Sequence, residues 1–304
     1  CGKLYLIDIG IPPILHEKCM DKTKILCLED IHIPSRPSNA HKSTFGKALM
    51  IGGSHNMHGA IHMASLSAYK SGIGTITLMV PECISNVLAV KSDFYMLLQC
   101  PDHNGIFSSK ALDILKQNIS NYTILSIGNG MQKNNVTIAL VEQALKSDKK
   151  IVLDADAIWA AGKNINLLKR EAITILTPHI KEMSDLTGIH ITTILANPFE
   201  VARDFSKEYK KCVLILKSSQ TFIAYQGSVF VLDAQNAGLA KGGSGDILCG
   251  IVVAMLGQTK DPLQAALCAA YIHSQSAKLD IDSACFMPED IINNIPNVLK
   301  KLRS

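Results

Sequence analysis

The 304-residue sequence has little of several features that would place it in a special class. Its nine cysteines include no Cys-x-x-Cys pair, which argues against a zinc ribbon or a disulfide framework and favours reduced thiols in a cytoplasmic protein. No uninterrupted apolar run reaches the ~18 residues of a membrane span. Charged residues make up only 18%, and the net charge of +4 is spread without a long basic run. We therefore expect a buried globular core, and neither nucleic acid nor a membrane as a partner.

The glycine-rich stretch of residues 238–257 also lacks the Walker and the dinucleotide-binding patterns. It has three glycines within four positions, Gly242, Gly243 and Gly245, followed by Asp246 and an apolar run of helix length. Glycines let backbone N–H groups approach an anion, and a helix N-terminus adds unpaired donors and a partial positive charge. The stretch therefore predicts an anion site, most often a phosphate site.

Asp246 is open to two interpretations. Aspartate is a good residue for the start of a helix, where its side chain caps the unpaired N–H groups. A carboxylate beside a bound phosphate can also take the proton of an attacking hydroxyl group. The local pattern leaves both capping and catalysis open.

Apolar strand-like segments alternate with helical segments over most of the chain. This alternation predicts an α/β fold with a mostly parallel sheet covered by helices on both faces. Residues 1–12 are interpreted as a strand, and residues 13–40 have weak periodicity and several prolines, so residues 1–40 are expected to be an arm or linker before a domain over residues 41–304. Gln226-Gly227 separates two short apolar segments and predicts a hairpin.

Polar or glycine-rich turns follow five of the predicted strands. In open α/β sheets the ligand lies beyond the carboxyl ends of the strands, so we expect these turns to form one rim. The turns are Gly52–Ser54, Gly128–Gly130, Asp154 with Asp156, Thr177–His179 and Lys217–Thr221.

Individual residues of this rim keep two interpretations each. Lys217 is either a lysine that extends to solvent from a strand edge or a phosphate contact. His179 is either structural or presented to a ligand by the preceding Thr-Pro turn. Asp154 and Asp156 have the chemistry of a Mg²⁺ pair, and they also suit turns and caps.

Residues 43–302 resemble the NAD(P)H-hydrate dehydratases, a family of the ribokinase-like superfamily. Six segments, each a weak signal alone, occur in the order and spacing of that family. They are Gly52-Gly53-Ser54 with Gly59-Ala60, Gly128-Asn129-Gly130, Leu153–Ala157, Thr177-Pro178-His179 with Glu182, Leu216–Thr221, and Asn236 through Asp246. The resemblance implies a three-layer αβα sandwich. The segment Asp8–Pro12 resembles the end of the epimerase domain that precedes the dehydratase in bifunctional bacterial proteins, so an upstream epimerase domain is expected.

The resemblance also implies an activity. The family restores NADH and NADPH from forms hydrated on the nicotinamide ring, consuming ADP or ATP with Mg²⁺, and ADP is the expected co-substrate here. Asp246 would be the catalytic base, and a homo-oligomer is expected. The implied contacts to the hydrated cofactor are Ala60, Gly130, His179 and Asp246. The implied nucleotide contacts are Lys217, Ser218, Ser219, Gln220, Thr221, Gly242, Gly243, Ser244 and Gly245.

Five positions depart from the family pattern. Asn129 replaces proline, Ile180-Lys181 replaces Pro-Gly, Ser218 replaces glycine and Ser244 replaces threonine. Two other functions stay open. A ribokinase-like kinase of a small alcohol, such as a thiazole or pyrimidine precursor of thiamine, would use the same loop and aspartate but leave the phosphate on its product. A non-catalytic nucleotide sensor would bind ADP without turnover.

Overall fold

A ten-stranded sheet forms the middle layer of the described chain. This computed structural model describes residues 7, 9–12, 14, 15, 23–233 and 236–303. The strands are β1 (Thr23–Ile25), β2 (Lys47–Ile51), β3 (Thr75–Pro81), β4 (Met96–Cys100), β5 (Asp102–His103), β6 (Ile106–Phe107), β7 (Ile124–Ile127), β8 (Lys150–Leu153), β9 (Thr174–Leu176), β10 (Cys212–Lys217), β11 (Thr221–Tyr225) and β12 (Ser228–Leu232). Their order across the sheet is β1-β12-β11-β10-β9-β8-β7-β2-β3-β4, while β5 and β6 pair separately.

Every strand pair from β10 through β9, β8, β7, β2 and β3 to β4 is parallel. Only β11 runs in the opposite direction among the described strands of this sheet. The predicted hairpin joins β11 and β12, and its two turn residues Gln226 and Gly227 have φ of +50° and +82°. Two consecutive positive φ angles are what a two-residue turn needs to match the twist of its strands. The mostly parallel sheet and the hairpin are confirmed.

Helices cover both faces of the sheet. They are α1 (His58–Lys70), α2 (Glu82–Lys91), α3 (Ala111–Asn118), α4 (Asn135–Leu145), α5 (Asp156–Gly162), α6 (Ile180–Thr187), α7 (Ile191–Ala196), α8 (Pro198–Glu208), α9 (Ser244–Gln258), α10 (Pro262–Ser276) and α11 (Pro288–Arg303). One core cluster contains side chains of α1, α2 and α9–α11, and the other contains side chains of α3–α8. Neighbouring residues of β2 alternate between the clusters, with Met50 in the first and Leu49 in the second, as the pleat requires. The predicted αβα sandwich is confirmed.

Helix α9, which follows the glycine-rich loop, is held between other elements. Residues 247–256 are all buried. A Cβ on Gly250 would lie 2.0 Å from the carbonyl oxygen of Ala64 and 2.1 Å from Ser67 Oγ, so α9 and α1 cross at the distance that only glycine and small residues allow. This close crossing fixes where α9 begins, and thereby where Asp246 lies.

Part of the predicted arm packs against the sheet. Strand β1 pairs in parallel with β12 at the edge, and Leu26 and Ile31 are buried. The Gln264 side chain accepts from the His32 amide at 3.3 Å and donates to the Asp30 carbonyl at 3.1 Å. The predicted strand over residues 1–12 lies mostly outside the described residues, and the predicted domain boundary stays a prediction.

No helix within the described residues combines the length and the apolar character needed to cross a bilayer.

Candidate active site

Five strand ends meet at one edge of the sheet. Strands β2, β7, β8, β9 and β10 are neighbours and run the same way. The loop after β2 touches the loop after β7, since the Gly53 amide donates to the Asn129 carbonyl at 2.7 Å. A Cβ on Gly128, whose φ is +131°, would lie 1.8 Å from the carbonyl oxygen of Asp154, so this approach requires glycine. The polar strand ends thus form the rim that the sequence predicts.

One amide side chain joins two carboxylates at this rim. Asn129 is fully buried, and its Nδ2 donates to Asp154 Oδ2 at 2.9 Å and to Asp246 Oδ1 at 2.7 Å. Asp154, which is only 2% exposed, also accepts from the Thr177 hydroxyl at 2.6 Å. Its Oδ1 lies 3.6 Å from Lys217 Nζ. These contacts form one polar network from the ends of four strands to the start of α9.

The backbone between Asp154 and Asp156, which the sequence left open between a Mg²⁺ pair and turn residues, has an unusual conformation. Ala155 has φ +48° and ψ −121°, which residues with a Cβ rarely adopt. The turn directs Asp154 into the network, whereas Asp156 begins α5 and accepts from the Gln132 amide at 2.8 Å. Burial raises the pKa of Asp156. Each carboxylate is held by protein donors, and we therefore assign neither as a metal ligand.

Asp246 lies in the first turn of α9 but does not cap it. The N-cap residue is Gly243, with φ +94° and no side-chain cap, and the Asp246 carboxylate accepts from Asn129 instead. The capping interpretation is therefore wrong. Burial and then repulsion by Asp154 raise the pKa of Asp246 to about 6, against smaller lowering effects of the Asn129 hydrogen bond and of Lys217. A carboxylate with this pKa is ionised at neutral pH and can take a proton during catalysis.

Lys217 brings a positive charge to the start of α9. A Cβ on Gly245 would lie 3.3 Å from Lys217 Nζ, so the ammonium group lies against the glycine loop. Burial lowers the pKa of Lys217. The charges of Asp154 and Glu182 raise it by more than that, so the pKa lies above its usual value. The side chain is 23% exposed and turns back to the buried Asp154. The geometry favours a phosphate contact over a lysine that extends into solvent.

A cavity of about 480 Å³ lies between the β10 end and α9. This volume is in the range of small-molecule sites. Five of the predicted nucleotide-binding residues line it: Lys217, Ser218, Ser219, Thr221 and Ser244. The other lining residues are Asn236, Leu239, Ala240, Leu248, Ala270 and His273. The predicted Gln220, Gly242, Gly243 and Gly245 lie in the same two loops but do not line the cavity.

His179 and Glu182 cap α6 reciprocally. The His179 amide donates to Glu182 Oε2 at 2.8 Å, and the Glu182 amide donates to His179 Nδ1 at 3.1 Å. Because Nδ1 accepts, the proton of a neutral ring is on Nε2. Burial raises the pKa of Glu182 to about 7, and burial followed by the charge of Lys217 lowers the pKa of His179. The His179 side chain is still 52% exposed, so it serves the helix and can also face a ligand.

The two small residues predicted to contact the hydrated cofactor are neighbours. A Cβ on Gly130 would lie 3.2 Å from Ala60 Cβ and 2.6 Å from the carbonyl oxygen of Met57. Gly130 has φ +70° and directly follows Asn129, which contacts Asp246. Ala60 and Gly130 are thus packed against each other one residue from the Asn129 side chain that holds Asp246.

A magnesium ion fits this rim only if bound phosphate supplies some of its ligands. Within the described ranges, no group of three or more His, Cys, Asp or Glu side chains is arranged to hold a metal. Protein-bound Mg²⁺ usually keeps several waters and binds through one or two carboxylates plus substrate phosphates. The described residues of the rim thus form no closed protein cage for Mg²⁺, and an ion there would be held mainly by nucleotide phosphates and water.

Three residues of the site were not candidates on sequence grounds. Asn129 stood out only as a departure from a motif, because its role depends on two acids that are distant in sequence. Cys249 donates to Asn129 Oδ1 at 3.4 Å, and nothing in the helix pattern distinguishes it from a core residue. His273 lies 3.2 Å from Ser244 Oγ, and burial lowers its pKa to about 4. A lone histidine in an apolar helix was the one available signal for it.

A comparison with known proteins covers the residues of this rim. The model of the NAD(P)H-hydrate dehydratase family matches residues 48–297. The chain belongs to this family. The NAD(P)H-hydrate dehydratase match includes each loop of the network described above.

Two curated dehydratase relatives illustrate the likeness. The bifunctional NAD(P)H-hydrate repair enzyme of Moorella thermoacetica is 33% identical over 312 residues, which cover 99% of this chain and 58% of that protein. The ADP-dependent (S)-NAD(P)H-hydrate dehydratase of Bacillus subtilis is 31% identical over 88% of this chain and 94% of that protein. The chain thus spans little more than half the length of the bifunctional relative.

Solved structures agree with the family and the fold. The Bacillus subtilis ADP/ATP-dependent NAD(P)H-hydrate dehydratase, co-crystallised with ATP and Mg²⁺, has a TM-score of 0.78 and 27% identity, covering 92% of this chain and 98% of that chain. Ribokinase of Thermotoga maritima has a TM-score of 0.51 at 14% identity, covering 84% of this chain and 100% of that chain, which shows the ribokinase-like fold alone.

Proposed function

We propose that this chain catalyses the ADP-dependent dehydration of hydrated NADH and NADPH, giving NADH or NADPH, AMP and phosphate. The observation that carries the proposal is the position of Asp246. Its carboxylate lies in the first turn of α9, where Asn129 holds it by a 2.7 Å hydrogen bond, while Ser244, two residues earlier, and Lys217 line the cavity. Family membership supplies the reaction for which such an arrangement is suited.

The first step is proton transfer to Asp246 from the hydroxyl group on the hydrated nicotinamide ring. That oxygen attacks the terminal phosphorus of ADP, and the bond from this phosphorus to the bridging oxygen of AMP breaks. The ring then carries a phosphate ester, a better leaving group than hydroxide. Phosphate then leaves with the electrons of its bond to the ring carbon, the neighbouring ring carbon releases a proton to water, and the double bond of the dihydronicotinamide forms. Positioning and charge do most of the catalysis in such phosphoryl transfers.

The nucleotide is proposed to occupy the 480 Å³ cavity, with its terminal phosphate toward the start of α9. Backbone N–H groups of a first turn without a side-chain cap suit an anion, and the Lys217 ammonium adds a positive charge. A Mg²⁺ ion bound with the nucleotide would neutralise charge on the phosphates. ADP as the preferred donor, rather than ATP, is part of the proposal.

The hydrated cofactor is proposed to lie on the other side of Asp246, over Ala60 and Gly130. Neither residue has a side chain beyond Cβ that could reach toward a bound ring. The half-exposed His179 is proposed to contact this substrate through the exposed part of its ring, because its Nε2 already lies 3.3 Å from Glu182 Oε1. A homo-oligomer, an upstream epimerase domain and a cytoplasmic location stay predictions.

The deciding experiment incubates the protein with hydrated NADH and ADP while the absorbance of reduced nicotinamide is followed and the products are separated. We expect absorbance to rise with equal amounts of AMP and phosphate. Phosphorylation of a small alcohol without this rise would support the kinase instead. ADP binding without turnover, unchanged in Asp246→Asn, would support the sensor.

A further inference from the structure

We infer that Asn129 is a positioning residue that orients the Asp246 carboxylate and keeps it ionised, a role that builds on the proposed function. A proline stands at this place in the pattern that the sequence resembles, and proline has no side-chain donor. Asn129 therefore offers this chain a device that the resemblance itself does not imply.

The hydrogen bonds of the Asn129 side chain assign both ends of its amide. Cys249 lies 3.4 Å from Oδ1, and burial raises the pKa of this thiol well above its usual value, so it is protonated and donates. Both hydrogens of Nδ2 then go to carboxylates, at 2.9 Å to Asp154 and 2.7 Å to Asp246. A flipped amide would place its oxygen against two acceptors, so only one orientation satisfies all partners. The amide is fixed from three sides.

The same contacts leave one oxygen of Asp246 for chemistry. Asn129 holds Oδ1, while Oδ2 has no hydrogen bond to any residue in the described part of the chain. A carboxylate fixed through one oxygen has a defined direction for the other. Oδ2 is therefore the atom that would take the proton from the substrate hydroxyl.

Several charged or titratable groups face Asp246. Asp154, at the end of β8, opposes the ionised form of Asp246, and Lys217, at the end of β10, favours it. Cys249 lies one turn further along α9 and interacts with the same carboxylate. Asn129 opposes the effects of burial and of Asp154, since a donor to a carboxylate stabilises the charged form. Removing this donor leaves two neighbouring acids without the group that connects them.

The first test is the pH dependence of dehydration in Asn129→Ala and in the bulkier Asn129→Leu. We expect the acid limb of kcat/KM to move to higher pH, with roughly a tenfold loss near pH 6 and a smaller loss near pH 8. Ser126→Ala is the matched control, because Ser126 Oγ lies 3.4 Å from Cys249 Sγ and is one step removed from Asn129. Its acid limb should stay in place. An equal loss at every pH in both Asn129 variants would show a merely structural role and overturn the inference.

The second test does not depend on the reaction. Carbon-13 NMR of the aspartate carboxyl groups, with Asp246→Asn used to assign the signal, gives the titration of Asp246 directly. We expect its midpoint to rise in Asn129→Ala and in Asn129→Leu, and to be unchanged in Ser126→Ala. If wild-type protein lacks dehydration but the midpoint rises, the proposed function fails and the Asn129 inference stands. If the midpoint does not move in either folded variant, the inference is wrong even where the enzyme is active.

Discussion

Two helices that begin at the same edge of the sheet differ in how their first turns are closed. At the start of α6, His179 and Glu182 bond each other's backbone amides, so the free N–H groups are used within the protein. At the start of α9, the N-cap is Gly243, which has no side chain to offer. The acid in the first turn of α9, Asp246, accepts a hydrogen bond from Asn129 and does not cap the helix. The α6 start is closed by its own residues, and the α9 start is open to an anion.

This difference explains why the acid at the second start is chemically special. The Glu182 carboxylate accepts a hydrogen bond from the backbone amide of His179. The Asp246 carboxylate accepts one from the Asn129 side chain, which also donates to Asp154. Burial raises the pKa of both carboxyl groups, to about 7 for Glu182 and about 6 for Asp246. Only Asp246 lies where the adjacent turn leaves donors for phosphate. The groups around a carboxyl group, and not the magnitude of its pKa shift, therefore decide whether the raised pKa can serve catalysis.

The largest expected effect comes from removing the acid of the open start. Asp246→Asn keeps the shape of the side chain, and its amide oxygen can still accept the hydrogen bond from Asn129. The side chain can no longer take a proton. We expect turnover of hydrated NADH to fall by roughly 100- to 10,000-fold. ADP binding, measured by calorimetry, should persist. The control is Asp113→Asn on the exposed face of α3, which should retain full turnover.

The same variant tests the pH dependence of stability. A raised pKa in the folded state means that folding favours the protonated form of Asp246. This contribution is complete below the unfolded pKa of 3.8 and is lost as the pH rises through about 6. We therefore expect Asp246→Asn to melt above the wild type at pH 8, with a gap that closes toward pH 4. A gap that is equal at both pH values would contradict the raised pKa.

The next largest effect concerns the cation beside the open start. Lys217→Met removes the partner of the buried Asp154 and the proposed phosphate contact. Hydrogen bonds to charged groups contribute about 1.5–3 kcal/mol, so ADP affinity should fall by roughly 10- to 100-fold. Lys207→Met is the matched control, because Lys207 pairs with Asp204 while both side chains are more than half exposed. Equal ADP affinity in both variants would place the nucleotide elsewhere.

A smaller effect is expected from adding a side chain to the glycine loop before α9. Gly243 has φ +94°, and a Cβ there would lie 2.6 Å from Met63 Sδ, so Gly243→Ala adds backbone strain and a clash. We expect a loss of about 1–2 kcal/mol in the free energy of unfolding. Gly242→Ala is the control in denaturant titrations, because a Cβ at Gly242 meets no atom within 4 Å. If both variants unfold alike, the conformation of the loop is not what Gly243 supplies.

The smallest effect should come from the closed start. His179→Ala removes the cap of α6 and should cost about 1 kcal/mol of stability. His190→Ala removes a comparable histidine cap from α7 and should cost a similar amount. If His179 also contacts the hydrated cofactor, only His179→Ala should raise KM for it. Equal kinetics in the two variants would limit His179 to capping.

Much of this site was predictable because it depends on residues that are close in sequence. The strands over Lys47–Ile51, Ile151–Leu153 and Val213–Lys217 follow from short apolar runs, and each is followed by polar residues. Parallel strands put their carboxyl ends at one edge, so the rim followed without any contact being known. The two edge strands β1 and β4 and the helices α2, α3, α5, α6 and α7 were not predicted, because weak periodicity and mixed composition give little local signal there.

The sequence alone determined the strands and helices with a strong apolar period, the glycine loop and the acid that follows it, since these depend on local conformation and on the period of apolar residues. Only the tertiary structure decided what Asp246 does there. Its bond to Asn129, the pairing of Lys217 with Asp154 and the donation from Cys249 each join residues more than 60 positions apart. Such contacts, and the burial that shifts a pKa, exist only when the packed layers bring the strand ends and α9 together.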